Sequence, residues 1–240
     1  MGTSATLLCA AFLMVGDPEP QPHFGCLNQP AFSIDKKPRL PMTLYEPQAG
    51  DVLLYSDANV VWGMLYAIAL TSAPGHSGLV VRLDDGEMAV LEAGYNDKPW
   101  VRVVPLAERL QQYPGTIWVR QRRTPINEEQ SRIITCFAQT IDGHRYGVIR
   151  LLGQMTPFRA RGPVRTHFLG KPVGIRNTYI CSEAVLEALA AAGLTDAEAT
   201  RPTATYPRDL FFERGTNIYV NRHPPLAADW EVPALWRRTP

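Results

Sequence analysis

Short apolar runs bounded by Gly, Pro, Asn and Asp alternate with helix-forming stretches through the middle of this chain. Short runs between turn residues are typical of buried strands, whereas apolar positions recurring every three or four residues are typical of helices. The pattern predicts strands over 52–55, 76–83, 87–94, 101–105 and 116–122, and a last strand near 217–221. It predicts helices over 60–71, 106–112 and 127–142, and a further helix that ends at Gly193. Together these elements indicate an α+β fold with an antiparallel sheet packed against helices.

Two of the predicted strands form a hairpin, and its loop sets their register. The loop 84–86 ends in a glycine, which supplies the left-handed residue of a three-residue turn. This loop places Glu92 opposite Gly78 and His76 opposite Gly94. Side chains alternate along a strand, so His76 and Glu92 share one face as diagonal neighbours on adjacent strands, with about 7–8 Å between their backbones. A carboxylate so placed fixes the tautomer of an imidazole. Taken singly, His76 also suits a turn position and Glu92 a solvent-facing strand end.

The helix that ends at Gly193 begins close to a cysteine. Its sequence is rich in Ala, Leu and Glu, and a polar, turn-forming segment precedes Cys181. At a helix N-terminus, unpaired N–H groups and the helix dipole lower the pKa of a thiol. Cys181 is therefore a candidate nucleophile, although a free cysteine is also a common buried apolar residue.

The charge and cysteine content exclude several classes of function. The chain has 24 Lys and Arg against 23 Asp and Glu among 240 residues, so no nucleic-acid partner is expected. There is no Cys-x-x-Cys motif and no run of His and Cys at metal-ligand spacing, so no metal site and no cofactor are expected. The chain has four cysteines, Cys9, Cys26, Cys136 and Cys181. Their number does not suggest a disulfide framework.

The distribution of proline predicts how the chain is organised. Its Pro-rich ends predict an irregular arm over 1–46 and a strand and tail over 216–240, around a compact domain over 47–215. Within the arm, 1–16 is an incomplete signal segment, because no basic residue precedes its apolar run. We therefore expect a cytoplasmic protein rather than an exported one. The apolar stretch 60–70 is too short to span a bilayer, and we interpret it as a buried core helix, so no integral membrane span is expected.

Four short motifs, taken in order, resemble the permuted NlpC-like cysteine hydrolases of the YiiX/YebB kind. They are Gly50-Asp51-Val52-Leu53, Gly75-His76-Ser77-Gly78-Leu79-Val80, Val90-Leu91-Glu92-Ala93 and Tyr179-Ile180-Cys181-Ser182-Glu183. The segment Tyr206-Pro207-Arg208-Asp209-Leu210 is also similar to one found after the cysteine helix in that family. The resemblance covers roughly 47–215 and implies a circularly permuted papain-like core, in which the histidine strand precedes the cysteine helix.

The resemblance implies a role for each motif residue. Cys181 would be the nucleophile, His76 the general base and then acid, and Glu92 the residue that orients the imidazole. A helix-start N–H would hold the oxyanion. Candidate second donors or substrate-binding residues are Tyr55, Ser182 and Tyr146. The segment 144–176 is predicted as a long loop excursion that lines the substrate cleft.

Several functions remain open at this stage. The leading hypothesis is a thiol hydrolase that cleaves an amide bond in a peptide or cell-wall-type substrate. A second is a lipid acyl hydrolase or acyltransferase of the same fold, although the sequence after Cys181 departs from the Asn-Cys-Glu-His pattern of those relatives. A third is a non-catalytic peptide-binding module, and a fourth is a metal site from the same three side chains. The sequence does not indicate an oligomeric state.

Overall fold

The computed structural model describes residues 24–28, 42–57, 60–94, 98–157, 159–160, 165–211 and 229–238. Within these residues, eight strands pair in one antiparallel sheet with the order β2-β1-β10-β7-β3-β4-β5-β6. They are β1 (Cys26–Asn28), β2 (Thr43–Leu44), β3 (Val52–Ser56), β4 (His76–Arg82), β5 (Met88–Ala93), β6 (Val101–Pro105), β7 (Thr116–Arg120) and β10 (Ala234–Arg237). Two further strands, β8 (Arg145–Tyr146) and β9 (Thr178–Tyr179), pair in parallel.

Helices lie on both faces of the sheet, so both faces are buried. The described helices are α1 (Val60–Ile68), α2 (Leu106–Gln112), α3 (Glu128–Ile141), α4 (Val148–Gln154), α5 (Arg165–Phe168), α6 (Cys181–Ala191) and α7 (Pro207–Phe211). On one face, Leu79 and Leu91 form a core with α3 and α6. On the other face, Val80 and Val90 pack with Leu106 of α2. The predicted α+β class with an antiparallel sheet is confirmed.

The β4–β5 hairpin has the predicted register. Gly78 pairs with Glu92, and each following pair keeps that alignment as far as Arg82 and Met88. Gly86 closes the loop with a φ of +87°, in the left-handed region that glycine adopts without strain.

Helix ends also follow their predicted signals. Asn127 caps α3 by accepting a 2.8 Å hydrogen bond from the Gln130 N–H. Gly143 and Gly193, just beyond α3 and α6, have φ values of +79° and +68°.

Asp51 belongs to the first motif but performs a structural task. Its buried carboxylate accepts hydrogen bonds from the Tyr45 hydroxyl at 3.0 Å, the Gln48 N–H at 3.0 Å and the Arg122 N–H at 2.7 Å. Burial is the main reason that the pKa of Asp51 is raised to about 7, against the lowering effect of these donors. The carboxylate thereby joins the turn before β3 to the end of β7.

The predicted burial of the helix over 60–71 is wrong. The helix is present as α1, but none of its residues is buried, and Val60 and Met64 are 75% and 64% exposed. An all-apolar sequence indicates burial without indicating which face packs, so the pattern misled at this point. In the described parts of the chain, no helix combines the length and apolar character needed to cross a bilayer.

The segments outside the central motifs are more ordered than expected. The arm predicted as irregular over 1–46 contributes β1 and β2, and the tail contributes β10. The excursion over 144–176 contains β8, α4 and α5, because its runs of apolar residues are long enough for single short elements. The predicted strand near 217–221 and the incomplete signal segment 1–16 lie outside the described residues.

Candidate active site

Cys181 is the first residue of α6, as its sequence context predicts. The start of the helix is fixed by Glu183, whose carboxylate accepts a 2.9 Å hydrogen bond from the Ile180 N–H. Arg150 of α4 donates to both oxygens of the same carboxylate at 3.1 and 2.6 Å. Glu183 is therefore an acidic first-turn partner of the helix N-terminus. The Cys181 residue is only 4% exposed, so its thiol is held in a fixed environment.

His76 lies at the start of β4, beside Cys181 and Glu92. Its Nε2 is 3.0 Å from the Glu92 Oε2, and the imidazole also forms a side-chain hydrogen bond with Cys181. The imidazole also packs on Tyr55, with ring centroids 5.3 Å apart. The histidine side chain is 21% exposed and the Glu92 side chain is fully buried. The structure therefore brings together the three residues that the sequence analysis groups as a triad.

Arg109 of α2 completes the group, and the sequence analysis missed it. Its Nε and Nη2 donate to the two Glu92 oxygens, each at 2.9 Å, and the Tyr55 hydroxyl also donates to Oε1. A fully buried carboxylate is costly unless charge and donors compensate it. A signal was present: Arg109 lies between Leu106 and Leu110 on the buried side of a short helix.

Electrostatics in this cluster favour a thiolate–imidazolium pair. Burial alone would raise the pKa of Cys181, but hydrogen bonding and charge interaction with His76, followed by hydrogen bonding from Ser77, outweigh it and lower the pKa. Burial would lower the pKa of His76, but Cys181 and Glu92 outweigh it and raise the pKa to about 10. For Glu92, burial is outweighed by His76 and Arg109, so its pKa is lowered. All three shifts favour the charged forms at neutral pH.

Tyr146 is the predicted donor candidate that contacts Cys181. Burial, followed by interaction with the Cys181 charge, raises the pKa of Tyr146 well above its ordinary value, so the phenol keeps its proton. The ring lies against Gly94, whose φ is +90°, and a Cβ built at Gly94 would fall 3.1 Å from the ring. Gly94 therefore leaves the space that Tyr146 occupies beside the nucleophile.

The two other predicted donors make different contacts. The Tyr55 hydroxyl donates its hydrogen bond to Glu92, so Tyr55 stabilises that carboxylate and is not available to an oxyanion at Cys181. The Ser182 hydroxyl donates to the Thr205 carbonyl at 2.6 Å and ties α6 to the segment before α7. A phenol or hydroxyl carries a single proton, and both protons are engaged.

A pocket opens in front of Cys181 between α1 and α4. Its walls include Trp62, Leu65 and Tyr66 from α1, Leu151 from α4, and Met155 just after α4. Its other lining residues are Ala69, Thr71, Pro74, Gly75, Tyr146, Gln154, Ile180, Cys181, Ser182, Tyr206 and Pro207. The lining contains no charged side chain within the described residues. The lining therefore favours an apolar ligand group beside Cys181.

Comparison with known proteins gives little further guidance. No protein-family model matches the sequence, and no curated protein matches it significantly. Among solved structures, one match is a crystal structure described as the metalloprotein YiiX from Escherichia coli O157:H7. It is 19% identical, the alignment covers 81% of this chain and 99% of that chain, and the TM-score is 0.44. At this distance the likeness assigns neither a family nor an activity to the chain.

Metal ligation was a further possibility for the same side chains. Within the described ranges, no group of three or more His, Cys, Asp and Glu residues is arranged to hold a metal ion. In the triad, the Glu92 oxygens accept from Arg109, Tyr55 and His76. Those contacts occupy the oxygens that a cation would require.

Proposed function

We propose that this chain is a thiol hydrolase that works through an acyl thioester on Cys181. One observation carries the proposal: a cysteine at a helix N-terminus contacts an imidazole whose far nitrogen is bound to a buried carboxylate. Cys181 would be the nucleophile, His76 the base and Glu92 the group that orients the base. Enzymes that catalyse nucleophilic acyl transfer use this arrangement. The chain order, with the histidine strand β4 before the cysteine helix α6, supports a circularly permuted papain-like core.

The first half of the reaction forms the thioester. The Cys181 thiolate attacks the carbonyl carbon, a sulfur–carbon bond forms, and the carbonyl π electrons move to oxygen. The backbone N–H groups at the start of α6 and the Tyr146 hydroxyl are the donors for that oxyanion. When the oxyanion collapses, the bond to the leaving group breaks and His76 gives its proton to the departing amine or alcohol.

The second half returns the enzyme to its starting state. Neutral His76 takes a proton from water as the water oxygen attacks the thioester carbon. The sulfur–carbon bond then breaks, the carboxylic acid leaves, and Cys181 is again a thiolate beside an imidazolium. Glu92, held by Arg109 and Tyr55, keeps the imidazole in place and stabilises its charged form throughout.

The pocket lining supports a lipid-like acyl group more than a cell-wall peptide. Cell-wall peptides carry charged carboxylate and amine groups, and such groups need charged or hydrogen-bonding partners once they are desolvated. The pocket instead presents the aromatic and aliphatic side chains of α1 and α4. We therefore assign the apolar acyl substrate, which the sequence left as the second hypothesis, as the substrate class that the site fits better.

A substrate panel tests this assignment. Wild type and Cys181→Ala are incubated with acyl lipids and with muropeptides, and the products are identified by mass spectrometry. We expect wild type to release fatty acid and Cys181→Ala to release none. Muropeptide cleavage without lipid hydrolysis would contradict the apolar assignment but retain the thiol mechanism. No cysteine-dependent turnover of either class would contradict the mechanism and favour a binding module.

A further inference from the structure

Helix α1 is apolar on every side and yet exposed. Its inner side, with Trp62 and Leu65, lines the pocket in front of Cys181. Its outer side turns Val60, Met64 and Ile68 to solvent, each more than half exposed. A helix that is apolar all round is ordinarily buried in a core or in lipid. The described residues therefore leave most of this outer side uncovered.

The opposite wall of the pocket has the same design. Leu151 of α4 and Met155 just after it line the pocket, while Ile149 and Leu152 of α4 are 86% and 56% exposed. In the same chain segment, Ile175 is 95% exposed. Large exposed apolar patches on a protein mark an interaction surface. Here exposed apolar side chains belong to both of the helices that line the pocket.

The charge of the segment that carries α4 is strongly biased. Residues 143–182 contain seven Lys and Arg and no Asp or Glu, in a chain whose net charge is only +1. Arg150 and Arg176 are paired with Glu183 and Glu187 of α6. The remaining basic residues include Arg165 and Lys171, which are exposed. The chain is therefore nearly neutral as a whole but has a basic segment that includes α4.

We propose that α1, α4 and the exposed basic residues Arg165 and Lys171 dock on an anionic lipid bilayer, with the pocket mouth towards the membrane. Apolar side chains inserted at the acyl boundary and basic side chains near anionic headgroups are the two contributions that hold a protein at such an interface. A bilayer accepts both without a shape-matched partner. We infer an anionic bilayer rather than a neutral one because the exposed basic residues attract anionic headgroups, whereas an acidic or neutral apolar surface would not.

Docking goes beyond the proposed chemistry and does not require turnover. It gives the apolar pocket direct access to acyl chains that would otherwise have to leave the bilayer through water. Cys181→Ala is therefore expected to bind vesicles like wild type. Conversely, hydrolysis of soluble short-chain substrates tests the thiol mechanism independently of vesicle binding.

Vesicle flotation with the full-length protein tests the proposal. Vesicles of phosphatidylcholine alone are compared with vesicles that contain about one-third phosphatidylglycerol. We expect wild type and Cys181→Ala to float with the anionic vesicles at least about tenfold more strongly than with neutral ones. High salt should weaken that preference because headgroup attraction is screened.

Two pairs of surface variants locate the contact. Met64→Glu removes an exposed apolar contact on α1, and Met42→Glu is its control beside β2 at the far edge of the sheet. Arg165→Glu with Lys171→Glu reverses two exposed charges, and Arg82→Glu is the control at the end of β4 away from His76. We expect the first variant of each pair to lose most of the binding and its control to keep it.

Three results would overturn the proposal. Equal binding to neutral and anionic vesicles would remove the electrostatic contribution. Binding that survives both test variants would assign the membrane contact to another part of the chain. Absence of vesicle binding, together with a dimer in solution that Met64→Glu disrupts, would instead assign the surface to a second copy of the chain.

Discussion

At the scale of single residues, the site depends on a carboxylate that its neighbours keep charged. Glu92 has no exposed side-chain surface, and it is bound by His76, Arg109 and Tyr55. Without these partners, burial would favour the neutral acid. Arg109 and Tyr55 therefore hold Glu92 in place. Glu92 in turn orients His76, and His76 lowers the pKa of Cys181.

Arg109→Lys tests that dependence. Lysine keeps the charge but cannot donate in the two-pronged geometry of the guanidinium, so Glu92 loses a charged hydrogen bond. A hydrogen bond of this kind contributes about 1.5–3 kcal/mol, so we expect kcat to fall about tenfold or more, with KM little changed. The acid limb of the kcat profile should move to higher pH, since the pKa of Glu92 rises.

A merely structural role for Arg109 would give a different result. Thermal unfolding of Arg109→Lys would then shift, while the pH profile of the remaining activity stayed in place. Arg109→Met extends the series, because it removes the charge and should move the acid limb further. An unchanged profile in both variants would exclude Arg109 as a positioning residue.

The thiolate is tested by alkylation of Cys181 with iodoacetamide at a series of pH values. The pKa of Cys181 is lowered chiefly because His76 outweighs the effect of burial. The thiolate forms above that pKa, so wild-type alkylation should begin to rise at lower pH than in His76→Asn. Peptide mass spectrometry separates Cys181 from Cys136, which is exposed and also accessible to the reagent. Coincident profiles in the two proteins would show that His76 does not activate the thiol.

His76 and Glu92 were predictable because both lie in one hairpin. A short loop with a glycine fixes the pairing of every residue in the two strands, so their shared face follows from local sequence. Arg109 was not predictable in the same way. Its contact with Glu92 depends on how α2 packs across the sheet, and such tertiary packing leaves only a weak trace in the sequence, a single arginine among buried leucines.

At the scale of elements, the glycines of the hairpin have distinct tasks. Gly86 and Gly94 both have φ values near +90°. No atom of the described residues lies within 4 Å of a Cβ built at Gly86, whereas a Cβ built at Gly94 would press on the Tyr146 ring. The two positions therefore share a left-handed backbone conformation but differ in their contact with the site.

The pair Gly94→Ala and Gly86→Ala separates these effects. A left-handed alanine costs about 1–2 kcal/mol, so we expect both variants to lower the free energy of unfolding by roughly that amount. In Gly94→Ala the ring must also shift, so kcat should fall several-fold, whereas Gly86→Ala should keep wild-type kcat. Denaturant unfolding and steady-state kinetics measure the two quantities. Equal activity in both variants would remove Tyr146 from the proposed oxyanion site.

Helix α1 marks the limit of pattern reading at this scale. Its existence was predicted, since nine consecutive residues of suitable composition form it. Its exposure was not predicted, because an all-apolar helix can be buried either in a protein core or in lipid, and the sequence does not distinguish the two. In the structure, the outer side of α1 faces solvent, so the described protein core does not bury it.

At the scale of the whole molecule, the sheet is completed by segments from both ends of the chain. Strand β10 lies between β1 and β7, and Cys26 pairs with Arg237. Trp230 is fully buried and donates to the Gly50 carbonyl at 2.8 Å. Pairings over such sequence separations have no local signal, so the N-terminal segment was predicted as an irregular arm, and the C-terminal strand was predicted near 217–221 rather than at β10.

The proposed function at this scale unites a triad, an apolar pocket and an outward-facing rim. Cys181 lines the pocket, and residues of α1 and α4 form part of its walls. A substrate that enters between these helices meets apolar side chains before it meets the thiolate. The same surface that would hold the protein at a bilayer therefore also leads to the nucleophile.

The most direct test of the central claim is to trap the acyl-enzyme. A medium-chain p-nitrophenyl ester is mixed with the protein in a Cys136→Ala background, so that the exposed thiol does not react, and intact and peptide masses are recorded. We predict one acyl group on the peptide that contains Cys181, slow formation in His76→Asn and none in Cys181→Ala. An acyl group on another residue, or equal acylation after Cys181→Ala, would contradict the account.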